Sequence, residues 1–309
     1  MTTTTPVIEA DSLTRTYGDT TVVDHLDFTV RPGRVTGFLG ANGAGKTTTM
    51  RMLLGLEEPT SGHARIDGLA YRDLPDPLRT VGALLDPQAP RPGRSARDHL
   101  RWLCRAGRIP LSRADDLIDQ VGLGEVAARR VGSFSLGMRQ RLGIAAMLLG
   151  DPSVLVLDEP LNGLDPEGIA WVRALLRDLA AQGRTVFVSS HLMGEMEATA
   201  DHVLVLRRGR LIADLSAEEL SRGSGAARVR VVSPQVDRLA HLVAGHAAVR
   251  RGGADAVEVV GLDAPALGAL AAREGVELHE LTPLRTGLEE AFLALNSEGE
   301  ITREGIDHA

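Results

Sequence analysis

The stretch Gly40-Ala41-Asn42-Gly43-Ala44-Gly45-Lys46-Thr47 constrains this chain more than any other. It fits the phosphate-loop pattern G-x-x-x-x-G-K-[ST] at every required position. The residues before it, Arg34 to Leu39, read as a buried strand, and those after it, Thr48 to Leu54, read as a helix. Strand, glycine-rich turn and helix start form the context in which the pattern carries chemistry. The glycines let backbone N–H groups turn inward around phosphate oxygens, and the helix N-terminus adds partial positive charge. On this reading Lys46 reaches the β- and γ-phosphates of a nucleotide, the Thr47 hydroxyl binds Mg2+, and Thr48 joins the nucleotide-binding set at the helix start.

The distribution of cations sharpens this. Of 34 basic residues only one, Lys46, is a lysine; everywhere else the chain uses arginine. A phosphate loop needs a compact ammonium on a thin stem, and a planar guanidinium fork does not fit there.

With 309 residues the chain is long enough for about two domains. Its 43% hydrophobic and 24% charged content is that of a globular protein. The net charge of −7 argues against a surface built to coat nucleic acid. A single cysteine, Cys104, excludes an internal disulfide and fits a reducing compartment; its apolar helical surroundings make it core filler. The first residues lack the basic and apolar regions of a signal peptide, and no apolar run approaches the roughly 18 residues of a membrane span.

Residues 7–39 read as short strands, with Tyr17 in the first connection, where its ring could stack on a nucleotide base. From about 90 to 150 the pattern is helical, with amphipathic stretches from Ser95 to Gly107 and Ser112 to Val121. Ser135 is a good N-cap for an apolar helix running to Leu149. Val154 to Leu157 reads as a fully buried strand ending in Asp158-Glu159, where α/β folds place ligands. A helix from Pro166 to Gln182 follows, then a buried strand from Thr185 to Ser189, with His191 just beyond it. Such alternation makes an α/β domain. Past a Gly223-Ser224-Gly225 linker, residues 226–296 read β-α-β-β-α-β, with strands at 228–232, 248–250, 256–260 and 276–281 and a last helix over 287–295. That order suggests a ferredoxin-like module. The tail 297–309 is polar and expected to fray.

Taken in order, the phosphate loop, helical insertion, Ser135-Leu136-Gly137-Met138-Arg139-Gln140, Asp158-Glu159, Leu161 to Asp165 and His191 resemble the ATP-binding subunit of ABC transporters over roughly residues 6–222. The resemblance implies a phosphate-loop NTPase of ABC type: a mixed sheet core, an antiparallel β subdomain and a helical subdomain. It makes Val154 to Glu159 the Walker B strand, Ser135 and Gly137 part of the signature, the segment ending at Asp165 the D-loop, and Tyr17 the base-stacking aromatic. Residue chemistry agrees. Asp158 can hold Mg2+ directly or through water, Glu159 can polarise the attacking water, and His191 would reach the γ-phosphate.

The resemblance further implies a head-to-tail homodimer, in which each signature completes the other subunit's site. It also implies separately encoded permease chains and a place at the cytoplasmic face of the membrane. The signature variant, and a C-terminal segment ending Leu288-Glu289-Glu290-Ala291-Phe292-Leu293, look like bacterial exporters of drugs, antibiotics or lantibiotics. Two departures stand out. Leu136 and Met138 replace the common Gly and Gln. The family's Q-loop glutamine aligns with Asp86, which could contact Mg2+ or the water, while Gln88 is two residues later. The rival readings are a soluble ABC ATPase of translation or DNA repair, disfavoured by the single ATPase unit and the acidic balance, and a regulatory module that binds ATP without turnover, which Glu159 argues against.

Overall fold

A computed structural model describes residues 7–86, 90–192, 194, 196, 198–216, 218–219, 227–245, 247–253 and 255–284. The expectations for Gln88, the 223–225 linker, the 287–295 helix and the 297–309 tail lie outside these residues. The chain forms two compact units, Met1–Ser216 and Ala217–Ala309.

The first unit opens with β1 (Ile8–Tyr17) and β2 (Thr20–Val30), joined by a tight turn in which Gly18 takes φ +55. β3 (Val35–Leu39) leads into the glycine-rich loop and α1 (Lys46–Leu53). β4 (Ser61–Ile66), the short α2 (Pro77–Thr80) and β5 (Val81–Leu84) follow. The helical block is α3 (Ala96–Ala106), α4 (Ser112–Gln120) and α5 (Leu136–Met147). The chain then alternates β6 (Val154–Leu157), α6 (Pro166–Ala181), β7 (Thr185–Ser190), β8 (His202–Arg207) and β9 (Arg210–Ser216).

Two sheets share this unit. β2-β1-β4 is antiparallel; the second runs β5-β6-β7-β3-β8-β9, parallel except for the β8–β9 hairpin. Every residue of β3, β6 and β7 is buried, as a parallel sheet covered on both faces requires. Three of the five phenylalanines join the sheets: the Phe28 ring on β2 lies 5.8 Å from Phe38 on β3 and 5.8 Å from Phe187 on β7. The sheets are thereby locked together behind the phosphate loop by apolar contact.

The helical block holds together by its own means. Ser95 caps α3 by accepting from the Asp98 N–H, and Asp115 on α4 takes Arg97 Nε at 3.0 Å and Arg101 Nη2 at 2.8 Å from successive turns of α3. The Arg101 hydrogen bond, more than any other contact, holds the Asp115 carboxyl below its usual range. Cys104 is fully buried between these helices, and burial raises its thiol, as befits an inert core residue.

The second unit is β10 (Arg228–Val232), α7 (Val236–Val243), β11 (Ala248–Arg251), β12 (Ala256–Val260), α8 (Ala264–Arg273) and β13 (Glu280–Leu284). Its antiparallel sheet has the order β11-β12-β10-β13, so β12 splits the first βαβ pair and β10 splits the second. This is the interleaving of a ferredoxin-like module. Val229, Val231, Leu239, Val257, Val259 and Leu267 form its core. The last strand falls at Glu280–Leu284 and not at 276–281. Gly275 turns the chain at φ +64, Val276 drops into the core, and pairing begins only when the His279 N–H reaches the Val232 carbonyl. Pro283 is tolerated because β13 is an edge strand.

Candidate functional site

The parallel strands deliver the candidate residues to one edge of the sheet. Leu39 pairs with Ser190, Leu157 with Val188 and Leu84 with Leu157. Gly40, Asp158 with Glu159, and His191 therefore leave their strands at the same C-terminal rim, the edge where α/β sheets bind ligands. Asp86 leaves β5 on this rim too, and is exposed.

The loop is shaped by close backbone approach. A Cβ at Gly40 would stand 2.6 Å from the Leu206 carbonyl oxygen, and one at Gly45 2.8 Å from that of Val22, where the backbone holds φ +107. No side chain fits at either place. The tip of the β8–β9 hairpin braces the loop from behind: the Gly209 N–H donates to the Ala44 carbonyl at 3.0 Å, and Asp24 on β2 fixes the same tip through its N–H to the Gly209 carbonyl. Hydrogen bonds from His25 first, and then from Arg210, hold the Asp24 carboxyl below its usual value.

Within this frame Lys46 is only 6% exposed. Its ammonium donates to the Gly40 carbonyl at 2.7 Å and the Ala41 carbonyl at 3.3 Å, and lies 3.3 Å from Glu159 Oε1. The other Glu159 oxygen lies 2.8 Å from His191 Nδ1. One carboxylate thus joins the candidate lysine to the candidate histidine. Beside it the Thr47 hydroxyl donates to Asp158 Oδ2 at 2.6 Å. Ser189 donates to the other oxygen of Asp158 and accepts the Glu159 N–H at 2.9 Å. Glu159 adopts φ +50, a region that non-glycine residues enter seldom and at a cost, typically at functional sites.

The remaining candidates sit around this centre. Asn42, Gly43 and Ala44 complete the loop, and Thr48 lies in the first turn of α1. Tyr17 ends β1 instead of lying in the connection. It is 43% exposed, its hydroxyl donates to Glu57, and the Arg15 guanidinium lies 4.5 Å from its ring centroid. Ser135 caps α5 by accepting the Met138 N–H at 3.2 Å, and Asp165 caps α6 by accepting the Gly168 N–H at 2.9 Å. Gly137 lies in the first turn of α5. Sequence reasoning missed Ser189, whose one signal is a hydroxyl near the end of an apolar strand, and Gln140, buried on α5.

The geometry defines a phosphate-loop nucleotide-binding α/β unit. Comparison with known proteins then gives its family. Residues 23–162 match the ABC transporter family model, and residues 227–289 match a family described as a domain of unknown function. The chain is 42% identical to the bacitracin transport ATP-binding protein BcrA of Bacillus licheniformis, over 70% of this chain and 72% of that protein. It is 33% identical to an uncharacterized ABC transporter ATP-binding protein, YhcH, of Bacillus subtilis, over 98% and 99% of the two chains. A solved ATP-binding subunit of an ABC transporter superposes with a TM-score of 0.63 at 26% identity, over 70% of this chain and 92% of that one.

The chain belongs to the ATP-binding subunits of ABC transporters and is an ATPase of that family. Subunits of this family typically pair with separate permease components. Among the described residues no helix is long and apolar enough to cross a membrane.

Proposed function

We propose that this subunit powers export of an antibiotic or related small molecule or peptide through a separately encoded membrane permease, at the cytoplasmic face. The relation to a bacitracin transport protein supports the cargo class. The cluster Lys46–Glu159–His191, beside Thr47–Asp158, carries the chemical part.

ATP phosphates would lie in the cradle of residues 40–47, with backbone N–H groups and Lys46 facing the oxygens. Glu159 would leave its contact with Lys46 and orient the attacking water, and His191 would take up the γ-phosphate. Tyr17 would offer the free part of its ring to the base. Thr47 and Asp158 suit Mg2+: a hydroxyl and a carboxylate already converge, and the cation, when bound, neutralises charge on the transferring phosphoryl. Asp86, on the same rim, is the third candidate for this cation.

Ser135, at the N-terminus of a 12-residue helix, would meet the nucleotide of a second copy in a head-to-tail homodimer. We assign residues 6–222 to the ATPase domain, with its helical subdomain at about 90–150, and residues 226–296 to an accessory module. A groove of about 630 Å3 between β5 and the helical block is mostly apolar, and its lining includes Leu78 and Trp102, both about half exposed. It supports docking of a cytoplasmic segment of the permease.

The test is phosphate release by the purified chain with ATP and Mg2+, alongside Glu159→Gln. Turnover by wild type and ATP-driven dimerisation of the stalled variant are expected. A chain that binds ATP without releasing phosphate would overturn the export-motor reading.

A further inference from the structure

The segment from Glu159 to Asp165 is fixed at both ends, by β6 and by the cap of α6. Its middle meets α5 in a reciprocal arrangement. Gly163 holds φ +70, and a Cβ there would lie 2.2 Å from Leu136 Cδ2, so the leucine occupies the space that the glycine leaves. One residue on, the pair is reversed: a Cβ at Gly137 would lie 3.4 Å from Leu164 Cδ2. One turn further along α5, Gln140 is 1% exposed and its amide donates to the Pro160 carbonyl at 2.7 Å. Pro160 directly follows Glu159. Leu136 itself stays 41% exposed, so its contact with Gly163 is made by one edge of the side chain.

We infer that Leu136 and Gln140 are positioning residues for hydrolysis: they clamp the start of α5 to the loop that carries Glu159, and so hold the Glu159 carboxylate in its place. The inference rests on the ATPase reading of the same site. It also accounts for the leucine at 136, a departure from the family's common signature, by the glycine at 163. A packed pair of this kind is stiff because a leucine fills the glycine's seat or leaves it, with little between. A hydrolytic carboxylate displaced by a fraction of an ångström loses rate without losing substrate affinity.

The test is steady-state phosphate release by the full chain and four variants: Leu136→Ala, Gly163→Ala, the double variant, and Gln140→Met, which keeps the volume and removes the donor. Each single variant is expected to lower kcat roughly tenfold at unchanged KM for ATP. Gly163→Ala pushes Leu136 from its seat, so the double variant is expected to be no worse than the poorer single one. Multiplying losses in the double variant would overturn the inference, as would a raised KM at unchanged kcat. If Gly163→Ala does not fold, Leu136→Ala and Gln140→Met decide: a wild-type kcat in both overturns the clamp, and a lowered kcat at constant KM in both supports it. Wild type that fails to release phosphate would instead overturn the underlying ATPase reading.

Discussion

Lys46→Arg is the sharpest test of the site because the chain tolerates arginine at every other cationic position. The Lys46 ammonium is already in contact on three sides, with the Gly40 and Ala41 carbonyls and Glu159 Oε1. The loop cannot widen, since its backbone at Gly40 and Gly45 presses on the Leu206 and Val22 carbonyls. A guanidinium brings about two more heavy atoms into this space, and overpacking of this kind costs about 1–3 kcal/mol of stability. The larger loss is kinetic. A fork aimed away from the γ-phosphate removes a preorganised charge worth about 3–4 kcal/mol in the transition state, or roughly a hundredfold to a thousandfold in kcat. The assay is phosphate release against ATP concentration, with a thermal melt to show that the variant is folded. Turnover within about twofold of wild type by a folded Lys46→Arg protein would refute the reasoning, because the compact ammonium would then be dispensable.

Other outcomes are as definite. Ser189→Ala leaves the Glu159 N–H without its partner and frees one oxygen of Asp158, so kcat is expected to fall about tenfold at nearly constant ATP affinity; an unchanged kcat would remove Ser189 from the site. Gly45→Ala must place a Cβ 2.8 Å from a carbonyl at φ +107, and the melting temperature is expected to drop by several degrees, with an unshifted melt contradicting the loop geometry. His99 is buried, and burial first, then Arg94, lowers its affinity for a proton below the ordinary value of 6.5. The unfolded chain therefore binds this proton more readily, and the stability present above pH 6.5 is lost as pH falls from there towards the lower folded value. Between pH 7.5 and 5.5 the melting temperature of wild type should fall more than that of His99→Leu; parallel curves would show that His99 is not the cause.

Much of the site was legible in the sequence because its signals are local. The phosphate loop is one contiguous pattern, Ser135 announces itself as a cap, and Asp158-Glu159 ends a strand whose apolar run shows that both faces are covered. The ferredoxin-like order of the second unit was legible for the same reason: each short strand has its own alternation. What escaped depends on contacts between distant segments. Ser189 matters because β7 lies beside β6, and Gln140 because α5 lies against the turn after Glu159. Tyr17 read as a loop aromatic, yet it closes β1, with Arg15 of the same strand over its ring, and its hydroxyl is held by Glu57, a side chain that only the fold brings to it. The last strand was read about four residues early because Val276 and Leu278 alternate like a strand while serving as core filler on the return from α8.

The seclusion of the one lysine has a practical consequence for reagents. Outside the chain terminus, acylating or carbamylating agents find a single primary amine in this protein, and its Nζ is shut inside the phosphate cradle. Any change in the rate at which that amine is labelled reports on the opening of the cradle, without a probe having to be engineered in.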